Sequence, residues 1–177
     1  VTAQMNIMTS HDTPRIFSLL RGQLERVQLA FAMLFTLPGA PTVYYGDEIG
    51  MAGGHDPDNR RGMIWDESRW HKPIQRTIQQ MSALRRSLPV LRRGRYQYLY
   101  AQDGRLAFAR TLEPTSVVVT VNASPEPWRV HIPLHGLWPR GEQAVDLLSG
   151  KTGRCVGGCL EDGILEPFTL AVWQTLE

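Results

Sequence analysis

The feature that most constrains this chain is a change of hydrophobic period near Arg93. Before that point apolar residues recur at helical spacing or in short runs. After it they alternate strictly with polar ones, and the two periods belong to different kinds of layer. Met5-Asn6-Ile7-Met8 is a mostly apolar run that ends in the polar cluster Thr9–Thr13. Leu24, Val27, Phe31 and Leu34 then trace one helix face, with Glu25, Arg26 and Gln28 on the other side. Pro38-Gly39 stops that helix, and Pro41–Tyr45 reads as a second buried strand ending at Gly46-Asp47-Glu48. Asp12 and Asp47 are 35 residues apart, near the roughly 30 of one strand–helix–strand step. A long loop, Gly50 to Lys72, follows, and loops of this length in compact domains usually carry function. Pro73 suits a first helical turn, and Ile74, Ile78, Met81, Leu84 and Leu88 give one apolar face to a helix that Pro89 closes.

Beyond Arg93, Tyr96, Tyr98 and Tyr100 alternate, then Leu106 and Phe108, then Val117, Val119 and Val121. Asp103-Gly104 supplies the positive φ of a tight hairpin. Further strands are expected at Arg129–Ile132, Ala144–Leu147 and Phe168–Trp173. Short strands at this spacing predict an antiparallel β-sandwich. The fold class is therefore α/β followed by all-β, divided as residues 1–92 and 93–177. The three tyrosines, sharing one strand face, are expected on the buried side of the sandwich.

Charge narrows the partners. The 177 residues carry 19 Lys and Arg against 17 Asp and Glu, and a net charge of +2 gives no reason to expect a nucleic acid or an anionic membrane. The basic run Arg85, Arg86, Arg92, Arg93 and Arg95 reads as the solvated end of a helix and its linker. No apolar stretch approaches the roughly 20 residues of a membrane-spanning helix. Cys155 and Cys159 lack the companions of a zinc site, and free thiols are favoured over a small disulfide. Sparse cysteine leaves the compartment open, with a cytoplasmic one favoured. Val1-Thr2-Ala3-Gln4 shows neither an initiator Met nor a signal segment, so a preceding stretch of chain is expected.

In parallel α/β barrels the site forms where strands end, which puts His11-Asp12 and Asp47-Glu48 at one mouth beneath the long loop. On periodicity alone Asp12 serves equally well as a helix N-cap. Asn6-Ile7-Met8-Thr9-Ser10-His11-Asp12-Thr13-Pro14-Arg15 resembles the fourth signature segment of the α-amylase superfamily, glycoside hydrolase family 13. Pro38 to Met51, with Tyr44-Tyr45-Gly46-Asp47-Glu48, resembles that family's last barrel strand. The run from Gly53 through Asp56-Pro57-Asp58-Asn59-Arg60 to Trp65-Asp66 is most similar to the neopullulanase, cyclomaltodextrinase and maltogenic amylase branch. The match is dense from Asn6 to Asp66 and thinner from Pro73 onward.

The resemblance implies the last two βα units of a (β/α)8 barrel. It implies that Asp12 is a supporting catalytic carboxylate with His11 beside it, and that Arg15, Asp56 and Arg60 bind substrate. The substrate so implied is an α-1,4-linked glucan or maltooligosaccharide. A homodimeric parent enzyme is a further implication, since members of the branch often pair through an N-terminal domain. Asp47 and Glu48 are expected to be structural. Trp65 and Trp70 could stack on sugar faces, but core or rim packing is the more frequent use of a lone Trp and is expected here. No metal or cofactor is expected. The family's nucleophilic Asp and proton-donating Glu belong to segments absent from this sequence, and a retaining mechanism needs both, roughly 5–5.5 Å apart. The chain alone is therefore expected to be inactive and its first half labile. Two other readings remain: a non-catalytic carbohydrate-binding module built on the β-rich half, and a parent that acts as a transglycosylase or glucan isomerase.

Overall fold

Two short parallel strands, β1 (Met5–Ile7) and β2 (Ala40–Thr42), open a computed structural model that describes residues 4–138 and 143–176. The chain divides into two units, Val1–Leu88 and Pro89–Glu177. In the first, Met5 pairs with Ala40 and Ile7 with Thr42. Gly39 precedes β2 at φ +102°, and a Cβ there would lie 2.7 Å from the Gln4 carbonyl oxygen, so only glycine allows this approach. Between the strands run a short helix α1 (Ile16–Leu19) and the longer α2 (Leu24–Thr36). Val27, Phe31 and Leu34 are buried, as their spacing predicts. Pairing in β2 stops at Thr42, short of the expected Tyr45. Gly46, at φ 85°, then turns the chain into a 3-10 turn over Asp47–Ile49.

The last helix of this unit, α3 (Lys72–Ser87), buries Ile74 and Met81 and packs on α2, where the Gln28 amide donates to the Thr77 hydroxyl at 2.9 Å. One residue of the basic run departs from expectation. Arg85 is buried rather than solvated. Its guanidinium donates to the carbonyls of Phe35 at 2.7 Å and Leu37 at 3.1 Å, and also to that of Gly39. The carbonyls of Phe35 and Leu37, at the end of α2, have no onward helical partner, and a cation from the neighbouring helix satisfies them together with that of Gly39 before β2.

In the second unit Pro89 begins a new short helix, α4 (Pro89–Arg93), where the sequence suggested only a stop. Among the described residues eight strands follow: β3 (Arg95–Gln102), β4 (Arg105–Leu112), β5 (Thr115–Asn122), β6 (Trp128–Pro133), β7 (Gln143–Asp146), β8 (Thr152–Val156), β9 (Cys159–Leu165) and β10 (Thr169–Thr175). They form one antiparallel sheet in the order β3-β4-β5-β10-β7-β8-β9-β6. The sheet curls until its two ends meet, with Tyr100 of β3 stacked on Trp128 of β6 at 5.5 Å. The enclosed core contains Trp128, Trp138 and Trp173. The buried indole N–H of Trp173 donates to the Thr120 hydroxyl at 3.0 Å, so no polar atom of the ring is stranded.

The tyrosines of β3 do not share a face. A bulge between Tyr98 and Tyr100 shifts the register, so Tyr98 pairs with Phe108 and Tyr100 with Ala107. Tyr100 thereby turns toward the core, while Tyr98 is left 58% exposed and Tyr96 is exposed beside it. Around the cysteines, β8 and β9 form a hairpin through Gly157-Gly158. Cys155 pairs with Leu160 and Cys159 with Val156, which sets the two free thiols on opposite faces.

Candidate active site

The end of β1 and the long loop converge on one small group of side chains. After β1 the chain makes a tight turn in which the Ser10 hydroxyl accepts from the Asp12 N–H at 3.1 Å, and the Thr13 hydroxyl accepts from the Ser10 N–H at 2.9 Å. That turn presents His11 and Asp12 to solvent, with the Asp12 side chain 69% exposed. The His11 imidazole Nε2 lies 3.3 Å from an Asp12 carboxylate oxygen. From the loop, Arg60 reaches the same carboxylate at 3.7 Å and the Asp56 carboxylate at 3.2 Å. Its Nε also donates to the His11 carbonyl at 3.0 Å. The structure thus brings His11, Asp12, Asp56 and Arg60 into one cluster around a single guanidinium.

Arg15 does not join it. The residue has no exposed surface, which replaces the expectation of substrate contact with a supporting position. Its guanidinium donates to the Asn59 carbonyl at 2.9 Å and to the Tyr45 carbonyl, and lies 3.3 Å from Asp47. The rings of Tyr44 and Tyr45 lie against it, 4.3 and 4.5 Å from the guanidinium carbon. Its backbone N–H also donates to the Gly53 carbonyl at 3.0 Å. A planar cation with several fixed donors suits this work, because it ties strand end and loop together at one point. Asp47, also buried, accepts from the Thr9 hydroxyl and pairs with Arg15. Burial pushes its carboxyl above the ordinary carboxylate value, against the lowering influence of Thr9 and Arg15.

Asn59 carries no signal in the sequence beyond its place between Asp56 and Arg60. Fully buried, its amide nitrogen donates to the carbonyls of His11 at 2.8 Å and Thr13 at 2.9 Å, with Ser10 at 3.4 Å. It therefore fixes the turn that carries Asp12. The loop has its own brace as well: the Gly54 N–H, donating at 2.6 Å, and the Arg61 guanidinium hold Asp58 below the usual carboxylate range. Trp70 packs at the rim, its indole N–H donating to the Ile64 carbonyl at 2.7 Å and the Lys72 ammonium lying 4.5 Å from its ring. Trp65 instead stands 80% exposed.

Two carboxylates sharing one guanidinium beside an imidazole form an open, polar surface. Carboxylates only accept and guanidinium only donates, a combination that matches paired hydroxyls better than apolar or anionic ligands. Among the described residues no group of three or more His, Cys, Asp or Glu could hold a metal ion.

The family model for the alpha amylase catalytic domain matches residues 1–91. The chain belongs to the α-amylase family. A second model, the neopullulanase-like C-terminal domain, matches residues 96–174 and places the β-rich unit in the same group of proteins. Among curated α-amylase relatives, a cyclomaltodextrinase of Geobacillus thermopakistaniensis is 38% identical, over 84% of this chain and 25% of its own length. Neopullulanase 2 of Thermoactinomyces vulgaris is 36% identical, over 82% of the chain and 25% of its own. The chain thus spans about a quarter of these relatives. In solved structures, Ttha1563 from Thermus thermophilus superposes with a TM-score of 0.89 and 55% identity, covering 95% of this chain and 35% of the other. The α-amylase of Geobacillus thermoleovorans complexed with acarbose gives 0.90 and 30%, covering 99% and 39%.

Proposed function

We propose that this chain supplies the substrate-binding wall of a retaining glycosidase that cleaves α-1,4-glucosidic bonds in maltooligosaccharides, cyclodextrins or starch-like glucans. The observation that carries this reading is the solvent-facing Asp12 carboxylate held beside His11 and bridged through Arg60 to Asp56. Asp12 accepts hydrogen bonds from adjacent hydroxyls of the reacting glucose and sets negative charge near the positive charge that develops on the ring. Such bonds strengthen in the transition state and lower the barrier by several kcal/mol. His11 donates to the same ring, while Asp56 and Arg60 hold the glucosyl unit deeper in the cleft. The nucleophile and the proton donor come from other strands of the barrel, so this chain binds glucan without hydrolysing it. Dimerisation of the complete enzyme through a further domain belongs to the same proposal.

The test is incubation of the chain with maltotriose or a cyclodextrin, together with calorimetric titration of maltohexaose. No turnover is expected, and Asp12→Asn is expected to weaken binding about tenfold, the size of a lost hydrogen bond to a charged acceptor. Turnover that Asp12→Asn abolishes would overturn the division of labour, and unchanged affinity would remove Asp12 from the site. A second reading is favoured by the exposure of Tyr96 and Tyr98, in which the β-rich unit itself grips sugar. It takes over if Tyr98→Ala loses affinity and Asp12→Asn does not.

A further inference from the structure

Asn59 stands one residue before Arg60 in the loop, yet its side chain has no exposed surface. Its amide nitrogen has two protons and faces three carbonyls, those of His11 at 2.8 Å, Thr13 at 2.9 Å and Ser10 at 3.4 Å, which lie on both sides of Asp12 in the chain. The two short contacts take the protons, and the third is weak. The opposite orientation of the amide would set an oxygen against three oxygens, so these carbonyls fix which way the group points. The bonds that the turn makes within itself span no more than three residues. The ion pairs of Arg60 with Asp12 and Asp56 join side chains that are 47–69% exposed, and pairs so exposed contribute little order. A buried amide from the loop is the stronger hold. Asn59 is itself held: its backbone carbonyl accepts from the buried Arg15 guanidinium at 2.9 Å. Gly53 packs directly against it, and a Cβ on Gly53 would lie 2.9 Å from the Asn59 Cα and 2.9 Å from the Asp58 carbonyl oxygen, closer than a Cβ can stand. Arg60 donates from Nε to the same His11 carbonyl that Asn59 uses, so one carbonyl sets loop and turn in register.

We propose that Asn59 is a positioning residue for glucan binding: through its buried amide the loop sets the His11–Asp12 turn, so that order in the loop and affinity for the glucan rise and fall together. The inference rests on the functional reading above and adds to it the part that aims Asp12 without touching sugar. An amide suits this place. It supplies donors without charge, whereas a carboxylate has no proton to give to three carbonyls, and a lysine would bring a buried charge that is costly unless paired. The same geometry makes Gly53 a second handle on the device. Gly53 is not in the left-handed region, so Gly53→Ala acts by pressing on Asn59 and leaves the amide chemically intact.

The experiment joins NMR relaxation of the backbone amides in the full chain to calorimetric titration of maltohexaose, for Asn59→Ala, Gly53→Ala, Asp12→Asn and the double variant of Asn59→Ala with Asp12→Asn. His11 and Asp12 are expected near the rigid order parameter of ~0.85 in the unsubstituted chain and below ~0.6 in both Asn59→Ala and Gly53→Ala, while α2 stays rigid. Each of these two substitutions should weaken binding about tenfold, within the range for members of one hydrogen-bond network, and Asn59→Ala should add less than about twofold once Asp12→Asn is present. A turn that stays ordered in both variants, or disorder that spreads through α2 in both, overturns the proposal. Where Asp12→Asn does weaken binding, losses that add in full in the double variant overturn it too, because Asn59 would then act apart from Asp12. If Asn59→Ala loosens the turn and loses affinity while Asp12→Asn keeps it, the positioning role stands and the Asp12 reading fails.

Discussion

In the β-rich unit the large buried side chains are mostly apolar, with Trp173, Ile132, Leu134 and Leu160 enclosed by a sheet whose ends meet. The first unit sets the guanidinium of Arg15 in its interior and ties its segments together through Arg85 and Asn59, while Met5 on β1 is 63% exposed and Ile7 is exposed as well. Its strands β1 and β2 pair only with each other among the described residues, and a cleft of about 400 Å³ between β1 and α2 is lined by Met5, Ile7, Met33 and Leu37. The contrast teaches where stability and function separate. A closed apolar sheet is stable through area removed from water, which is non-directional. A set of strand ends held by buried cations and amides is ordered by direction, and direction is what a binding site needs.

The largest difference the contrast predicts is in resistance to protease. Limited proteolysis of the chain should leave a core that begins near Arg93, because an open parallel edge offers little protection. A resistant core beginning before Asn6 would break the comparison. Next in size is Arg15→Met, which takes the cation from the buried Asp47 carboxylate, leaving it the Thr9 hydroxyl, and removes the guanidinium donor from two carbonyls. A loss of about 3 kcal/mol is expected, confined to the first unit and read from its denaturant midpoint. A loss near zero would show that the apolar contacts, rather than the cation, hold these segments.

The smallest effect is with pH. Because burial raises the Asp47 carboxyl in the folded state, the folded chain binds that proton more tightly than the unfolded chain. Its contribution to stability is then present at low pH and is lost as pH rises through the raised value. Thermal melts of the first unit between acid and neutral pH should show this fall, and Asp47→Asn should flatten it. A fall of the same size in Asp47→Asn would assign the effect to another group.

Much of this was legible in the chain itself. The helical stripe Val27, Phe31, Leu34 and the β-rich character past Arg93 follow from period alone, because burial selects apolar residues at the spacing of the element. His11 and Asp12 were visible through the segment around them. Arg15 and Asn59 were misjudged or missed for one reason: a polar side chain in a loop looks alike whether it faces a ligand or satisfies a buried carbonyl. Only the partners decide, and they lie far away in sequence, as Asn59 lies 48 positions from His11.

What the sequence determined by itself, then, was the kind of layer each half forms and which acidic residues stand in the turns beyond the two strands, because both are written in local spacing. The tertiary structure alone decided that a bulge turns Tyr100 inward and leaves Tyr98 out, that Arg85 closes a neighbouring helix, and that Arg60 joins Asp12 to Asp56. Each of those outcomes depends on a contact between distant segments, and a contact of that kind forms only once the backbone has brought its donors and acceptors within about 3 Å.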